Sequence, residues 1–312
     1  MKQYFLGIDT SCYTTSCAII DDELNIVGEA RKILDVKSGM KGLQQSNMVF
    51  QHTKVLPRLI EELAQVPLSG IGVSAFPRRA DDSYMPAFLV GHSFGRALSH
   101  MMKVPMYEFS HQENHILAAL REIGYIPNQP FYALHLSGGT TELVLTEYKD
   151  KGIFESSIIG GSNDLQGGQF VDRVGVALGL QFPCGKELER LALQTDTYDP
   201  LPSSVKDGWI SFAGPCSAAL RNIGNGVAPA SISKALFSCI GNSLEKLLTY
   251  HLEHTPVSTL VAVGGVMSNS ILRNRIKGFC NKNDVKVYFA TPKFSVDNAT
   301  GNAYGALLAS KE

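Results

Sequence analysis

Two histidines four residues apart, His111 and His115 in the segment SHQENH, precede an apolar run at residues 116–120. Residues four apart share one face of a helix, so both imidazoles could bind one divalent ion. A zinc protease of the H-E-x-x-H type places its general base directly after the first histidine, where this chain has Gln112. The segment therefore predicts a metal site that needs a further ligand and serves another chemistry. Two solvated histidines at a helix start are the alternative.

Three short apolar strands each run into a turn of small or polar residues: GIDTS at 7–11, SGGTT at 137–141 and VGGVMSN at 263–269. Glycine turns let backbone N–H groups approach a phosphate, and a helix N-terminus favours anions. A second strand follows each of the first two turns, so one hairpin design occurs twice. A helical pattern follows the third turn. The turns therefore indicate two related lobes with anion-binding potential, although many glycine turns serve geometry only.

Apolar spacing near 3.6 residues predicts helices at 46–65, 90–102, 169–178, 230–253 and 299–308. The alternation of strands and helices is typical of an α/β protein. Since no low-complexity linker interrupts the chain, we expect two lobes that share an interface and form a cleft.

Composition excludes several classes of protein. The 312 residues are 44% hydrophobic with a net charge of −1, so no global positive field attracts nucleic acid, which would need a local patch or a partner subunit. The six cysteines contain no C-x-x-C pair, which argues against a disulfide framework and favours a reducing cytosol. Apolar runs are too short for a secretory signal or a membrane span, so we expect a cytoplasmic protein.

The duplicated hairpins resemble the actin, Hsp70 and sugar-kinase superfamily, an α/β fold of two ribonuclease H-like lobes with a central cleft. With HQENH, GGQFVDRVGVALGL, ISFAGPCSAAL and PKFSVDNA added, the chain resembles the tRNA adenosine threonylcarbamoyltransferase family, TsaD, once labelled a glycoprotease. The motifs keep the family's order from residue 3 to about residue 308. The resemblance implies a first lobe at 1–128, to which a C-terminal helix at 293–312 returns, and a second lobe at 129–292.

Carried over by position, the resemblance implies three metal ligands, His111, His115 and Asp297. Two imidazoles and a carboxylate suit one divalent ion, iron or zinc. The resemblance also implies the adenine-nucleotide-binding residues Ser137, Gly138, Gly139, Asp172, Gly185 and Asn269.

The implied activity is metal-dependent transfer of a threonylcarbamoyl group from threonylcarbamoyl-AMP to N6 of a tRNA adenosine next to the anticodon. The implied partners are tRNA and proteins of the same modification pathway. No association with a membrane is implied. Peptidase activity ranks third among the hypotheses, because neither a zincin base nor a nucleophile triad is visible.

The chain departs from the family pattern at three places. The usual C-D-E-T is Cys12-Tyr13-Thr14-Thr15 here, the histidine of the glycine turn is Thr140, and residues 75–86 replace a G-P-G loop. A missing acid or base costs about 10²- to 10⁴-fold in rate. A non-catalytic nucleotide- and metal-binding scaffold is therefore the second hypothesis. In the replaced loop, Arg78 and Arg79 either clamp a phosphate or are solvated.

Overall fold

The computed structural model describes residues 2–11, 13–35, 43–79, 83–291 and 297–311. In chain order its strands are β1 (Tyr4–Asp9), β2 (Thr14–Asp21), β3 (Ile26–Ile33), β4 (Leu68–Phe76), β5 (Met106–Ser110), β6 (Phe131–Leu136), β7 (Thr141–Asp150), β8 (Ile153–Ser162), β9 (Ser204–Lys206), β10 (Trp209–Ser211), β11 (Thr259–Val263) and β12 (Lys286–Phe289). Its helices are α1 (Gln45–Glu61), α2 (Phe88–Met102), α3 (His111–Ile123), α4 (Gly167–Ala177), α5 (Gly185–Ala192), α6 (Ala213–Gly224), α7 (Pro229–His254), α8 (Ser270–Lys282) and α9 (Thr300–Ser310).

The chain divides into two compact units. Unit 1 comprises Met1–Asn128, Glu147–Glu155 and Val296–Glu312. Unit 2 comprises Gln129–Thr146 and Ser156–Ser295. Each unit is built on one mixed β-sheet.

The sheet of unit 1 has the strand order β3-β2-β1-β4-β5. A hairpin joins β1 to β2 in antiparallel register, with Asp9 opposite Ser16, while β4 runs parallel to β1. The central strands β1 and β2 are buried along nearly their whole length, and their middle residues are mostly apolar. The hairpin turn GIDTS therefore lies at the end of a central strand, where its side chains are held by the sheet.

Helix α9 packs against the strands of unit 1 although it follows all of unit 2 in sequence. Most of its side chains are buried, which agrees with its small and apolar residues. The approach is close: a Cβ on Gly72 of β4 would lie 2.7 Å from the carbonyl carbon of Asn302. Only glycine permits this spacing. The close packing of α9 brings the segment before α9 to the β5–α3 junction.

The sheet of unit 2 has the order β12-β11-β6-β7-β8-β10-β9. Its first five members repeat the order of unit 1, with β6 and β7 as the antiparallel hairpin and β11 parallel to β6. Strands β10 and β9 extend the far edge. The structure thus confirms the duplicated hairpin design that the sequence predicts.

The five helices predicted from apolar spacing are confirmed as α1, α2, α4, α7 and α9, with ends shifted by a few residues. In the described part of the chain, none of the helices is both long and apolar enough to cross a membrane. The cysteines at 17, 184, 216, 239 and 280 are buried free thiols, whereas Cys12 lies outside the described residues.

Candidate metal centre and nucleotide-binding turns

The paired histidines lie at the junction of β5 and α3. Ser110 caps α3: its hydroxyl accepts a hydrogen bond from the backbone N–H of Glu113 (3.0 Å). The Glu113 carboxylate in turn accepts from the backbone N–H of Ser110 (2.6 Å). This capping box fixes the first helical turn. His111 and His115 therefore project from one face of a well-anchored helix start.

Asp297 lies beside both histidines. The Nε2 atoms of His111 and His115 are 3.1 Å apart. The Asp297 Oδ1 atom lies 3.6 Å from Nε2 of His111 and 3.5 Å from Nε2 of His115. The three ligand-type atoms all lie within 4.8 Å of one another. The structure thus brings together the three residues that the family resemblance implies as ligands.

The side chain of Asn114 holds the segment around Asp297 against α3. Its amide donates to the carbonyl of Asn298 (2.6 Å), and its Oδ1 accepts from the backbone N–H of Asn302 (2.8 Å). Asn114 is fully buried. Sequence reasoning missed this residue, although a polar side chain between two candidate ligands, on a helix with an apolar continuation, is a signal that could have identified it.

The donor set fits a divalent metal ion. Ligand atoms at about 2.1 Å from one ion are separated by about 3.0 to 3.4 Å for octahedral to tetrahedral angles. The observed separations of 3.1, 3.5 and 3.6 Å are of this size. Two imidazoles and one carboxylate suit iron or zinc, and three protein ligands leave positions open for a substrate.

The surroundings of His111 favour the protonated form of its ring. Burial lowers the pKa of His111, but the nearby carboxylates of Asp9 and then Asp297 outweigh burial and raise it to about 9. Protons and a metal ion therefore compete for this ring in neutral solution.

In unit 2, two glycine turns lie side by side at the carboxyl ends of parallel strands. Strand β11 pairs with β6 up to Val263 opposite His135, so the turns that follow the two strands are neighbours. Gly264 has a φ of 107°, and a Cβ there would lie 2.6 Å from the carbonyl carbon of Leu136. Glycine at this position is required both by the backbone conformation and by the close approach. Carboxyl ends of parallel strands are where α/β proteins commonly bind ligands.

The first of these turns is closed by a hydrogen bond from the N–H of Ser137 to the carbonyl of Thr140 (2.8 Å). A Cβ on Gly138 or Gly139 would meet nothing within 4 Å, so both glycine backbones face open space. The N-terminus of α4 adjoins the turn, because the N–H of Gly168 donates to the carbonyl of Ser137 (3.1 Å). Exposed backbone amides beside a helix N-terminus favour an anion such as a phosphate.

The other predicted nucleotide-binding residues lie on α4, at the start of α5 and at the N-terminus of α8. The Asp172 carboxylate on α4 accepts from the N–H of Cys184 (2.9 Å), which places it next to Gly185 at the start of α5. Asn269 caps α8 by accepting from the N–H of Leu272 (3.0 Å). Its Nδ2 atom is buried and has no hydrogen-bond partner among the described residues. Asn269 therefore retains a donor for a ligand.

Comparison with known proteins identifies the family. The sequence profile of tRNA N6-adenosine threonylcarbamoyltransferases, TsaD, matches residues 84–304, more than half of the 312 residues. The chain belongs to the TsaD family.

Solved structures show the fold of this TsaD-family chain at low sequence identity. Component A of (R)-2-hydroxyglutaryl-CoA dehydratase from Acidaminococcus fermentans has a TM-score of 0.60 at 13% identity, covering 99% of this chain and 100% of that one. HypF in its phosphate- and nucleotide-bound form has a TM-score of 0.62 at 14% identity. The match covers 99% of this chain and 55% of HypF. A ROK family glucokinase from Streptomyces griseus with glucose and AMPPNP has a TM-score of 0.55 at 12% identity. The match covers 97% of this chain and 99% of the glucokinase. The predicted actin-like and sugar-kinase-like fold is confirmed.

The structure locates the departures from the usual TsaD pattern. Cys12 lies outside the described residues. Tyr13 is 40% exposed, whereas Thr14 is only 8% exposed at the start of β2. The Thr15 hydroxyl is 2.8 Å from Nδ1 of buried His52. A carboxylate at position 13 would face water, and one at position 14 would be largely desolvated.

The loop that replaces the TsaD family's G-P-G segment is tied to helix α3. Arg79 forms a bidentate ion pair with Glu113: its Nε donates to Oε1 (3.0 Å) and its Nη2 donates to Oε2 (3.0 Å). Residues 80–82 of this loop lie outside the described residues. Because Glu113 occupies its guanidinium, Arg79 supports the start of α3, and the hypothesis of a phosphate clamp loses this side chain.

Proposed function

We propose that this chain transfers a threonylcarbamoyl group from threonylcarbamoyl-AMP to N6 of a tRNA adenosine next to the anticodon. The observation that carries the proposal is the convergence of His111, His115 and Asp297 in a TsaD-family chain. Iron or zinc held by these residues would act as a Lewis acid that polarises the acyl carbonyl. The acceptor tRNA and proteins of the same modification pathway are the proposed partners.

Unit 2 supplies the nucleotide-binding groups in this proposal. The amides of Gly138 and Gly139, with the N-terminus of α4, hold the phosphate. The Asp172 carboxylate accepts hydrogen bonds from ribose hydroxyls, and the free Nδ2 of Asn269 donates to the ribose or the base edge. The nucleotide-bound HypF and glucokinase structures support nucleotide binding in this fold.

A second candidate function is a non-catalytic scaffold that binds nucleotide and metal and assembles with an active family member. Tyr13 and Thr14 favour it, because they stand where the family usually has two acids. The intact ligand set is equally compatible with sensing.

Transfer assays with purified tRNA and threonylcarbamoyl-AMP separate the two candidates. The combined variant Tyr13→Asp with Thr14→Glu should transfer at least about tenfold faster than the wild type, since a positioned acid or base contributes that much or more. The uncharged pair Tyr13→Asn with Thr14→Gln is the matched control and should not accelerate transfer. Absence of transfer in every form, with nucleotide and metal still bound, would favour the scaffold.

Adenine-nucleotide binding is expected to depend on Asn269 and Asp172. Asn269→Ser should weaken binding by about 1 to 3 kcal/mol, because a buried ligand group loses its donor. Serine caps a helix as well as asparagine, so α8 keeps its cap and the stability of the protein should change little. Asp172→Ala should weaken binding by a similar amount, about 1 to 3 kcal/mol. Calorimetric affinities unchanged in both variants would place the nucleotide elsewhere.

A further inference from the structure

The carboxylate of Asp9, in the GIDTS turn, has no role in the ligand set described above. Asp9 is the last residue of β1 and is 0% exposed. Its Oδ2 accepts from the Ser11 hydroxyl (2.7 Å), while its Oδ1 is buried without a hydrogen-bond partner among the described residues. A buried carboxylate is costly unless a cation or donor compensates it. Its surroundings therefore point to a neighbouring hydrogen-bond donor.

That neighbour is His111. The Oδ2 atom of Asp9 lies 3.4 Å from Nδ1 of His111, on the side of the ring opposite the ligand cluster. The other ring nitrogen, Nε2, faces His115 and Asp297. The atoms that converge within 4.8 Å come from His111, His115 and Asp297, and no Asp9 oxygen is among them. Asp9 therefore lies behind a ligand rather than among the ligands.

The backbone around Asp9 is held from several sides. Asp9 pairs with Ser16 in the β1–β2 hairpin. The preceding residue, Ile8, accepts at its carbonyl from the side-chain amide of Asn302 (2.7 Å). The following residue, Thr10, donates its hydroxyl to the carbonyl of Ala87 (2.9 Å) and accepts from the N–H of Gly91 (3.0 Å). A carboxylate fixed in this way can orient the His111 ring.

We propose that Asp9 is the positioning residue of the metal centre, acting through His111. The Asp9 carboxylate keeps the proton on Nδ1, which leaves the lone pair of Nε2 directed at the ion. Metal-binding histidines commonly donate their second N–H to a carboxylate, which orients the ring and raises its basicity. The present 3.4 Å separation exceeds that of a charge-assisted hydrogen bond by about 0.6 Å, so a small ring movement would form one. The inference rests on the metal site of the proposed function.

The test is calorimetric titration of the metal-free full-length protein with Zn²⁺. Asp9→Asn should bind one ion about 10- to 100-fold more weakly than the wild type. An amide can turn its NH₂ toward Nδ1 and so favour the wrong tautomer of the ring. Asp21→Asn is the matched control: Asp21 is a buried carboxylate in the same sheet, paired with Lys2 at 2.8 Å, and its loss should leave Zn²⁺ affinity unchanged.

Imidazole ¹⁵N spectra of the zinc-loaded wild type provide a readout that needs no variant. They should show His111 protonated at Nδ1 and bound through Nε2, and Zn²⁺ bound through Nδ1 would overturn the inference. Unchanged affinity in Asp9→Asn would also overturn it while leaving the metal centre intact. Loss of the bound ion altogether in Asp9→Asn would make Asp9 a ligand instead. A wild type that binds no Zn²⁺, Fe²⁺ or Co²⁺ would remove the metal centre of the proposed function itself, and the inference with it.

Discussion

Metal analysis of the variant with both His111→Ala and His115→Ala should find no stoichiometric divalent ion, whereas the wild type should contain about one ion per chain. Loss of one residue that hydrogen-bonds to a metal ligand already weakens metal binding by about 10- to 100-fold. Loss of two ligands themselves should weaken it by more than about 100-fold. The stabilisation that the ion provides, about 2.7 kcal/mol at a hundredfold excess over Kd, should disappear as well.

The control for this experiment is the pair His100→Ala and His254→Ala, two exposed histidines of α2 and α7. These substitutions should leave both the metal content and the metal-dependent rise in melting temperature unchanged. Wild-type stoichiometry in the His111 and His115 variant would show that the ion binds elsewhere.

The substitution Gly301→Ala should destabilise the protein by about 3 kcal/mol, the upper end of the usual cost of overpacking. A Cβ at position 301 would lie 2.6 Å from Oδ1 of Asn114 and 2.8 Å from the backbone nitrogen of Ala118, and it would overlap the carbonyl oxygen of Asn114. Backbone cannot move aside without separating α9 from α3. Because these helices position Asp297 and the two histidines, metal affinity should fall together with stability.

Gly278→Ala is the matched control, since Gly278 lies inside α8 and a Cβ there would meet nothing within 4 Å. Alanine should stabilise this helix by about 0.4 to 1 kcal/mol. Denaturant unfolding and zinc titration of both variants are the measurements. If Gly301→Ala is as stable as the wild type, α9 and α3 tolerate separation and the ligand geometry does not depend on their close approach.

Local patterns predicted much of the fold, since 3.6-residue spacing located α1, α2, α4, α7 and α9. Helices α5 and α6 have no counterpart in the sequence-based prediction. Helix α5 has only eight residues, too few for a clear period, and α6 carries Gly214 and Pro215 in its first turn. Tertiary packing stabilises both helices where local preference is weak.

The candidate site was only partly accessible from sequence. Spacing indicates His111 and His115, but Asp297 entered through the family resemblance, because only the packing of α9 on α3 brings it close. The roles of Asn114 and Asp9 depend on contacts between residues far apart in the chain. For the same reason the sequence alone leaves Arg79 as either a phosphate-binding or a solvated side chain, whereas the structure pairs it with Glu113, 34 residues away.

The late position of α9 in the sequence has a consequence for synthesis of the protein. Strands β1, β2 and β4 leave the ribosome long before α9, which covers them, and all of unit 2 is translated in between. At about 5 to 20 residues per second, that interval is on the order of 10 s or more. Nascent unit 1 thus exposes apolar strand surface for seconds, a target for chaperones. Its ligand cluster forms only after translation has passed Asp297.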